Sequence, residues 1–327
     1  MTDASPPRIA RLVAVALNAA IDKTAEVDGL VAGEIHRPRL LAALPGGKAV
    51  NTARAATRLG LRASVVAVVG GHAGRWFAEE LERRSIRARL VDVPGETRTC
   101  LSVLDRSTGD LTELYEPGLE LPASAWSDVE QALSAELADA DGALVVLAGS
   151  LPPGAPTDAY TRLAGIAARA GALASVDVAG APLLAALAAR PWLVKLNEAE
   201  AAAAIGEAIS TDEDAVRAAE ALAADATNAI VTRGARGSVL ATEDGVYRAA
   251  AATERGPYAV GSGDVLLAGL AAALARGEGW QTALAFASAA ATANALVPGQ
   301  GELRDADLDR LVGRTRVERS PRSAVRS

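Results

Sequence analysis

Short apolar segments rich in valine and leucine alternate along the chain with longer alanine-rich segments whose apolar residues recur at helical spacing. Continuous apolar runs of this length are typical of strands buried on both faces, and the segments between them supply the covering helices. The pattern predicts an α/β fold with a mostly parallel central sheet. The segments predicted as its strands are Ile9–Leu17, Ala63–Val69, Ala143–Ala148, Ala174–Val178, Trp192–Lys195 and Ala229–Thr232.

The predicted helices lie between these strands. Aromatic residues make up 3% of the 327 residues, so the core has to be built from closely packed Val, Leu and Ala side chains. The segments predicted as helices are Val50–Leu59, Gly74–Arg84, Ala123–Leu137, Thr157–Arg169, Glu198–Ala204, Asp212–Ala224, Ser262–Arg276 and Trp280–Leu296.

Two segments break the alternation and have the pattern of extended hairpins, residues 23–44 and 97–116. The second has turn residues at 106–110 between two candidate strands. Extra strands inserted into an α/β protein often form a lid, so we predict a small β lid from these two insertions.

Charge and composition exclude several classes of partner. The formal net charge is −7, whereas binding to nucleic acid or an anionic membrane by charge needs a basic surface, so we expect neither partner. The apolar stretch Val265–Ala275 is shorter than a membrane span. The single cysteine, Cys100, cannot form an intramolecular disulfide, and the first residues have no signal-peptide pattern. We therefore expect a cytoplasmic protein.

The segment Gly261-Ser262-Gly263-Asp264 leads directly into an apolar helix. Backbone N–H groups at a helix start form a site for a phosphate, and a carboxylate beside that phosphate can take the proton of an attacking hydroxyl. The alternative is that Asp264 caps the helix and the glycines make a tight turn. The segment matches neither the dinucleotide-binding fingerprint nor the P-loop.

A second glycine segment, Gly46-Gly47-Lys48-Ala49-Val50-Asn51, also precedes a helix. Two glycines let backbone amides approach a ligand closely, and Lys48 and Asn51 can bind hydroxyls or phosphate. A purely structural loop is the alternative for this segment.

Together the two segments resemble the two signatures of the PfkB (ribokinase-like) family of carbohydrate kinases, and the likeness covers about residues 9–311. The Gly-Ser-Leu-Pro-Pro-Gly run and the Asn-x-x-x-Asp start at Asn18–Asp22 are closest to the hexose-phosphate branch, of the 1-phosphofructokinase and tagatose-6-phosphate kinase type. Further family landmarks occur in order between the signatures: Asn18–Asp22, Thr97-Arg98, Glu116–Gly118, Gly149–Gly154, Lys195–Glu200 and Thr232–Gly237.

The resemblance implies a three-layer ribokinase-like fold and a catalytic base at Asp264. The chemistry of the residues agrees, because phosphoryl transfer needs a group oriented on the hydroxyl and neutralisation of charge on the moving phosphoryl group. The amides of Gly261, Ser262 and Gly263 are the candidates for that neutralisation.

The nucleotide side of the site is also implied by the resemblance. Asn197 and Glu200 are similar to the family's N-x-x-E motif, which acts on Mg²⁺, usually through water; surface capping residues are the alternative. Lys195 is a candidate for ATP phosphate, or a solvated strand end. The remaining candidates are Thr232, Gly234 and Gly237 in a turn that lines the nucleotide, and Asn294 near the adenine.

For the sugar, the resemblance implies that Asp22 holds hydroxyls. Arg98, at the start of the second inserted hairpin, is placed to bind a substrate phosphate through its guanidinium fork. The other sugar-side candidates are Gly46, Gly47, Lys48, Asn51 and Ser150.

Several positions depart from the family pattern and bear on the substrate more than on the reaction. They are Ala19, Ala49, Tyr115 and Tyr258-Ala259. The two tyrosines near the site could reshape the sugar pocket.

We therefore predict an ATP-dependent kinase that phosphorylates a primary hydroxyl of fructose 1-phosphate, fructose 6-phosphate or tagatose 6-phosphate, with ATP and Mg²⁺ as cofactors. The alternatives are a kinase of an unphosphorylated sugar, a non-catalytic sugar-phosphate sensor and a nicotinamide-linked dehydrogenase. The dehydrogenase needs a glycine-rich fingerprint after the first strand, which Leu17–Ala20 does not provide.

We expect one kinase domain over residues 1–311 and a homodimer formed through the lids, because exposed lid strands need their edges covered. Residues 312–327 carry several arginines and no apolar period, which predicts a basic, disordered tail.

Overall fold

The strands and helices alternate as predicted. The structure, a computed structural model, describes residues 6–250 and 254–322. Its strands are β1 (Arg11–Ala16), β2 (Ala20–Val27), β3 (Arg39–Gly46), β4 (Ala63–Val69), β5 (Arg87–Asp92), β6 (Arg98–Asp105), β7 (Leu111–Tyr115), β8 (Ala143–Ala148), β9 (Leu173–Asp177), β10 (Leu193–Asn197), β11 (Asn228–Thr232), β12 (Ser238–Thr242), β13 (Gly245–Ala249) and β14 (Val317–Ser320). Its helices are α1 (Lys48–Arg58), α2 (Gly71–Arg83), α3 (Ala123–Glu136), α4 (Ala159–Arg169), α5 (Ala181–Leu187), α6 (Glu198–Ile205), α7 (Asp212–Asp225), α8 (Ser262–Ala275), α9 (Trp280–Ala295) and α10 (Asp305–Val312).

The central sheet has the strand order β14-β13-β12-β11-β10-β9-β8-β1-β4-β5. Every pair from β11 to β5 is parallel, and β12, β13 and β14 extend one edge as antiparallel strands. The predicted α/β fold with a mostly parallel sheet is confirmed. The parallel direction brings the carboxyl ends of seven strands to the same edge, where ligands bind in sheets of this kind.

Two layers of helices cover the sheet. Alternate residues of β1 point to opposite faces, so that Leu12, Ala14 and Ala16 join one apolar cluster while Val13 and Val15 join the other. Helices α1, α2, α8, α9 and α10 pack on the first face, and α3 to α7 pack on the second.

Small side chains set the spacing of the central helices. A side chain at Gly269 of α8 would begin 2.8 Å from the Cα of Ala287 in α9, so only glycine permits this contact. The two helices therefore pack with their backbones close together, as an alanine-rich core requires.

The two inserted hairpins form a separate sheet with the order β3-β2-β6-β7, which we call the lid sheet. Within each hairpin the strands are antiparallel, and the hairpins join through the parallel pair β2 and β6. The predicted hairpin segments are thus confirmed, although β2 begins at Ala20 and β3 ends at Gly46.

Several elements differ from the sequence prediction. Strand β5 was not predicted because polar and apolar residues alternate in it, as befits an edge strand. Strands β12 and β13 and helices α5 and α10 were not predicted either. The predicted disordered tail is wrong for residues 317–320, since β14 pairs with β13. Its side chains are exposed or half-buried, so pairing of the backbone holds it and no apolar period marks it. Residues 323–327 of that predicted tail lie outside the described residues.

In the described ranges, no helix has the length and apolar character that a bilayer crossing requires.

Candidate active site

A cavity of about 940 Å³ lies between the lid sheet and the carboxyl edge of the central sheet. Residues at or just after the ends of β8, β9, β10 and β11 form its floor, among them Ala148, Asp177, Asn197 and Thr232. The start of α8 forms one wall, and β2, β6 and β7 of the lid sheet close the other side. The two glycine segments of the sequence meet in this cavity.

Asp264 lies buried in the first turn of α8. Burial, followed by the nearby carboxylate of Asp177, raises the pKa of Asp264 to about 7, while Lys195, Lys48 and a hydrogen bond from Asn51 act in the opposite direction. A carboxyl group with a pKa near neutrality can take up and release a proton at working pH, which a capping aspartate on the surface does not do. The site therefore has a group with the properties of a general base.

Helix α8 begins at a backbone position that requires glycine. Gly261 has φ +84°, and a side chain there would begin 2.9 Å from the Cβ of Gln300. The first intrahelical hydrogen bond runs from the Val265 amide to the Gly261 carbonyl, so the Gly263 and Asp264 amides precede it at the positive end of the helix dipole. The Ser262 amide, predicted to face a phosphoryl group, instead donates to the carbonyl of Ala259 at 3.2 Å.

Asn51 joins the two glycine segments. Its side-chain nitrogen donates to Asp22 Oδ2 at 3.1 Å and to Asp264 Oδ2 at 3.2 Å. Asp22 is buried at the start of the lid sheet and also accepts from the Gly47 amide at 3.3 Å. Burial raises the pKa of Asp22, although its hydrogen bonds lower it. The predicted sugar-binding carboxylate and the predicted base therefore share one amide.

The two glycines of this segment have different roles. Gly47 lines the cavity with φ +95° and opens α1. Gly46 lies buried against the Asp22 carboxylate, and a side chain at this position would overlap that carboxylate. Gly46 therefore acts by making room for Asp22.

Asp177 at the end of β9 organises the cations of the site. It accepts from Lys48 Nζ at 2.9 Å and pairs with Lys195 Nζ at 2.5 Å. Burial opposes its charge, but Lys195 and Lys48 together hold the pKa of Asp177 below its ordinary value. Lys48 also reaches Glu200 Oε1 at 3.4 Å. Two lysines thus lie beside Asp264 with their charges partly balanced.

We did not predict Asp177 from the sequence. A signal was present, because an aspartate at the end of the predicted strand Ala174–Val178 lies at the edge where parallel sheets bind ligands. Polar residues at strand ends are common, so the position becomes informative only when Lys48 and Lys195 are seen beside it.

Asn197 and Glu200 form a capping box at the start of α6. The Glu200 amide donates to Asn197 Oδ1 at 2.9 Å, and the Asn197 amide donates to Glu200 Oε2 at 2.8 Å. Both residues also line the cavity. The capping alternative is therefore correct as geometry, and the role toward Mg²⁺ stays a prediction.

The nucleotide side is defined by the turn after β11. Thr232, Gly234 and Gly237 line the cavity, and both glycines have positive φ. Asn294 does not line it, which corrects our prediction for this residue. Its side chain is fully buried, donates to the carbonyls of Gly299 and Glu302 and accepts from Ser262 Oγ at 3.2 Å.

The opposite end of the cavity contains Arg98. Its Nη2 donates to the Asn18 carbonyl at 3.1 Å and its Nη1 to the Glu116 carbonyl at 3.4 Å, whereas its buried Nε has no hydrogen-bond partner among the described residues. Ser150 accepts from Asn18 Nδ2 at 2.9 Å. Arg98 lines the cavity, and each Nη group has a second N–H that can donate to an anion there.

Two further side chains shape this end, Tyr115 and Cys100. The Tyr115 hydroxyl donates to Glu113. Cys100 is 6% exposed, and burial, together with nearby carboxylates, raises the pKa of its thiol to about 11. We predicted an effect on the pocket for Tyr115 and none for Cys100.

The chain is similar to known carbohydrate kinases. A family model described as pfkB family carbohydrate kinase matches residues 11–306. A 1-phosphofructokinase of Xanthomonas campestris pv. campestris is 35% identical over 268 residues, which are 80% of this chain and 83% of that protein. A 1-phosphofructokinase of Rhodobacter capsulatus is 34% identical over 263 residues, which are 80% and 82%.

Solved structures have the same fold. A protein of Thermotoga maritima, described as a possible 1-phosphofructokinase, superposes with a TM-score of 0.86 at 25% identity, covering 95% of this chain and 99% of that one. Phosphofructokinase-2 of Escherichia coli in complex with fructose-6-phosphate superposes with a TM-score of 0.84 at 24% identity, covering 94% and 99%. The second likeness concerns the fold alone.

Proposed function

The chain belongs to the pfkB family of carbohydrate kinases, and from this membership we propose that it transfers the γ-phosphoryl group of ATP to a primary hydroxyl of a hexose phosphate, with fructose 1-phosphate as the first acceptor to test. The observation that carries the proposal is the buried Asp264 at the start of α8, linked through Asn51 to Asp22 at the lid. Fructose 6-phosphate and tagatose 6-phosphate are the next acceptors.

Asp264 takes the proton of the attacking hydroxyl. As a carboxylate it accepts a hydrogen bond from that hydroxyl and orients the oxygen toward the γ-phosphorus, and the proton passes to Asp264 as the O–P bond forms. The bond between the γ-phosphorus and the β,γ-bridging oxygen breaks, and ADP leaves. The Gly263 and Asp264 amides at the helix start then stabilise the negative charge on the moving phosphoryl group.

Lys48 and Lys195 hold the negative charge of the nucleotide near the reacting atoms. Asp177 keeps both ammonium groups in place through its two carboxylate oxygens. Fixed cations in a partly enclosed cavity act more strongly than cations in water, because the surrounding dielectric is lower.

Mg²⁺ enters with ATP as part of the substrate. No group of three or more His, Cys, Asp and Glu that could hold a metal ion occurs among residues 6–250 and 254–322. This fits Mg²⁺, which retains several waters and takes few protein ligands. We propose that Asn197 and Glu200, which line the cavity, meet it through water, where it neutralises phosphate charge.

Asp22 and Asn51 hold hydroxyls of the sugar, and Arg98 with Ser150 binds its phosphate. The Arg98 guanidinium lines the cavity and has N–H donors beyond those bonded to the Asn18 and Glu116 carbonyls, which supports this assignment. The two relatives named 1-phosphofructokinase support fructose 1-phosphate as the acceptor.

We also propose that the enzyme is cytoplasmic and forms a dimer through its lid sheets. The cytoplasm contains the ATP that the proposed reaction consumes, and a cysteine with a free thiol fits a reducing compartment.

The proposed dimer rests on the surface of the lid sheet. Leu40 of β3 and Leu114 of β7 are 57% and 58% exposed, so the lid sheet carries apolar surface that a second copy would cover.

A non-catalytic sugar-phosphate sensor is the second candidate. It requires the cavity and Arg98 but gains nothing from a buried carboxyl group with a pKa near 7. A kinase of an unphosphorylated sugar is a third candidate, and it leaves the cationic Arg98 in the cavity without an anion to bind.

The test is ADP release with MgATP against fructose 1-phosphate, fructose 6-phosphate, tagatose 6-phosphate and the free sugars. We expect turnover on a phosphorylated sugar and its loss in Asp264→Asn. Arg98→Ala should raise KM for that sugar phosphate by about 10- to 100-fold, as the loss of a charged hydrogen bond predicts.

Arg106→Ala, which removes an exposed lid arginine outside the cavity, is the matched control and should leave KM unchanged. Turnover on free sugars alone would contradict the role of Arg98. Calorimetric binding of the sugar phosphate without turnover on any of these compounds would favour the sensor.

A further inference from the structure

Arg54 is a fully buried arginine that touches the machinery without lining the cavity. It lies two turns into α1, and its side chain is 2% exposed. Neither the predicted base nor the predicted sugar carboxylate contacts it directly. Burying a guanidinium is costly, so the groups that it contacts indicate its purpose.

Each end of the Arg54 guanidinium has defined acceptors. Nη1 donates to Asn51 Oδ1 at 3.0 Å and to the Pro45 carbonyl at 2.8 Å. Nη2 donates to the Gln300 carbonyl at 2.6 Å and to Glu302 Oε1 at 2.9 Å. Of these four acceptors, the Asn51 oxygen is the one whose side chain also contacts Asp22 and Asp264.

That oxygen determines where the Asn51 nitrogen points. The side-chain amide has an oxygen on one side and a nitrogen with two hydrogens on the other, so binding of the oxygen by Arg54 turns the nitrogen toward Asp22 and Asp264. If the Asn51 amide were inverted, its NH₂ group would face the N–H groups of Arg54, and no hydrogen bond could form between them. We propose, on the basis of the proposed kinase function, that Arg54 is a positioning residue, which holds the Asn51 amide in the one orientation that donates to both carboxylates.

The orientation matters because Asp264 gains a proton near neutral pH. An inverted Asn51 would offer its oxygen to the protonated acid, which would favour the protonated form. Arg54 prevents this inversion and so keeps more of Asp264 as the carboxylate that can act as a base. The other charged groups facing Asp264 are Asp177 on β9, Lys195 on β10 and Lys48 on α1. Asp22 on β2 reaches it through Asn51.

The segment that holds the Arg54 guanidinium also connects to the lid sheet. The Gln300 side-chain nitrogen donates to Ser102 Oγ of β6 at 3.1 Å, and Gln300 Oε1 lies 3.5 Å from Thr24 Oγ1 of β2. The 299–302 loop, which contains Gln300, also packs on the Asn51 backbone, since a side chain at Gly301 would begin 2.9 Å from the Asn51 carbonyl oxygen. Arg54 thus lies between the loop that supports the lid strands and the amide that supports the base.

The test measures the pKa of Asp264 directly, by ¹³C NMR of its carboxyl group in the full chain without substrate. Arg54→Met should raise this pKa by about one unit, a ~10-fold change in the protonation equilibrium. Arg54→Lys, which keeps the charge but loses the planar geometry of the guanidinium, should give a smaller shift. Glu302→Gln removes the charge of the carboxylate that pairs with the opposite end of the Arg54 guanidinium and should leave the pKa of Asp264 unchanged.

The same substitution in an Asn51→Ala background separates orientation from charge. If Arg54 acts through Asn51, Arg54→Met should shift the pKa of Asp264 much less when Asn51 is absent. Equal shifts in both backgrounds, or no shift in either, would overturn the proposal. If Arg54→Met does not fold, the comparison of Arg54→Lys with and without Asn51 decides in the same way.

The NMR measurement needs no substrate, so it stands even if the proposed reaction is wrong. In the activity assay, the wild-type chain tests the reaction, and the variant then tests the positioning. Arg54→Met should lower kcat about fivefold at pH 7, because a pKa raised from about 7 to about 8 lowers the carboxylate fraction of Asp264 from about one half to about one tenth, with KM for ATP within about twofold of the wild-type value. A rise in both KM values with unchanged kcat would contradict the assignment.

Discussion

Asp264 is held between opposing electrostatic effects, and its reactivity depends on their balance. Burial and Asp177 favour the protonated form, whereas Lys195, Lys48 and Asn51 favour the carboxylate. Because the result lies near pH 7, the group changes protonation within the range in which the enzyme has to work. A carboxyl group of ordinary pKa would be a weaker base at the same pH.

This balance predicts an acidic limb in the pH dependence of kcat/KM. Below about pH 7 Asp264 is protonated in the free enzyme and cannot accept the hydroxyl proton, so kcat/KM should fall about 10-fold per pH unit. The measurement is kcat/KM for the sugar phosphate from pH 5 to 8.5, with the ATP concentration saturating. A flat profile down to pH 5 would contradict the assignment of the base.

The raised pKa also predicts a gain of stability on substitution. The folded state binds the Asp264 proton more tightly than the unfolded state, so this contribution to stability is complete below pH 3.8 and is lost as pH rises to about 7. Asp264→Asn should therefore unfold at a higher temperature than the wild-type chain at pH 8, by about 2 °C or more. At pH 4 the difference should nearly vanish, and a destabilised variant at pH 8 would contradict this account.

Single residues were predictable where the sequence places them in a signature. Asp264, Asp22, Asn51 and Gly47 lie in the cavity as predicted, although their roles stay predictions. The prediction for Asn294 was wrong, because a polar residue in an alanine-rich helix can equally make buried hydrogen bonds, here to carbonyls of the 299–302 loop that follows the helix. Arg54 lies in the first signature, but its role was not predictable, because two of its four acceptors, the Gln300 carbonyl and Glu302 Oε1, lie 246 and 248 positions along the chain.

At the level of elements, the junction of β3 and α1 depends on the absence of a side chain. Gly46 lies against the carboxylate of Asp22, which Asn51 and the Gly47 amide hold in place. A methyl group at position 46 would overlap the buried Asp22 carboxylate. That carboxylate cannot move aside without losing its hydrogen bonds to Asn51 and the Gly47 amide.

Gly46→Ala should therefore damage sugar binding selectively. We expect KM for the sugar phosphate to rise about 10-fold or more, because at least one buried hydrogen bond of Asp22 is lost, while binding of ATP changes little. Calorimetry with each substrate measures the two affinities. Gly279→Ala is the control, since the space around Gly279 is open and its φ is −72°. Equal losses for both substrates would show a general distortion instead.

Elements with continuous apolar runs were predictable, and those without were not. Strands β4 and β8 match the predicted bounds, because both faces are buried and every residue is apolar or small. Strands β5 and β14 lie at edges, where one face or both meet solvent and pairing of the backbone decides the outcome. Helix α5 is too short for helical periodicity to be recognised.

On the scale of the whole molecule, the lid sheet predicts self-association. Its exposed apolar residues outside the cavity include Leu40 and Leu114. We expect light scattering to give the mass of a dimer, and Leu114→Glu to give the mass of one chain, because a buried unpaired charge opposes the contact. Leu184→Glu, at an equally exposed position in α5 outside the lid, should leave the dimer intact. A wild-type mass of one chain would contradict the lid interface.

The complete fold was predicted in its class and family but not in how distant segments meet. The alternation of strands and helices determines a parallel sheet, and the two signatures identify the family. The contact of the 299–302 loop with both the lid sheet and α1 depends on side-chain hydrogen bonds between residues some 200 to 280 positions apart, which no local pattern encodes.

The position of the single thiol has a practical consequence for spectroscopy. Cys100 is enclosed in the cavity wall and holds its proton far above neutral pH, so thiol-directed dyes will react with it slowly. A cysteine introduced at Ile35, which is 85% exposed in the loop between β2 and β3, would then be labelled almost alone. One fluorophore at that position, in an otherwise unaltered chain, would report on the surroundings of the lid hairpin when MgATP or a sugar phosphate is added.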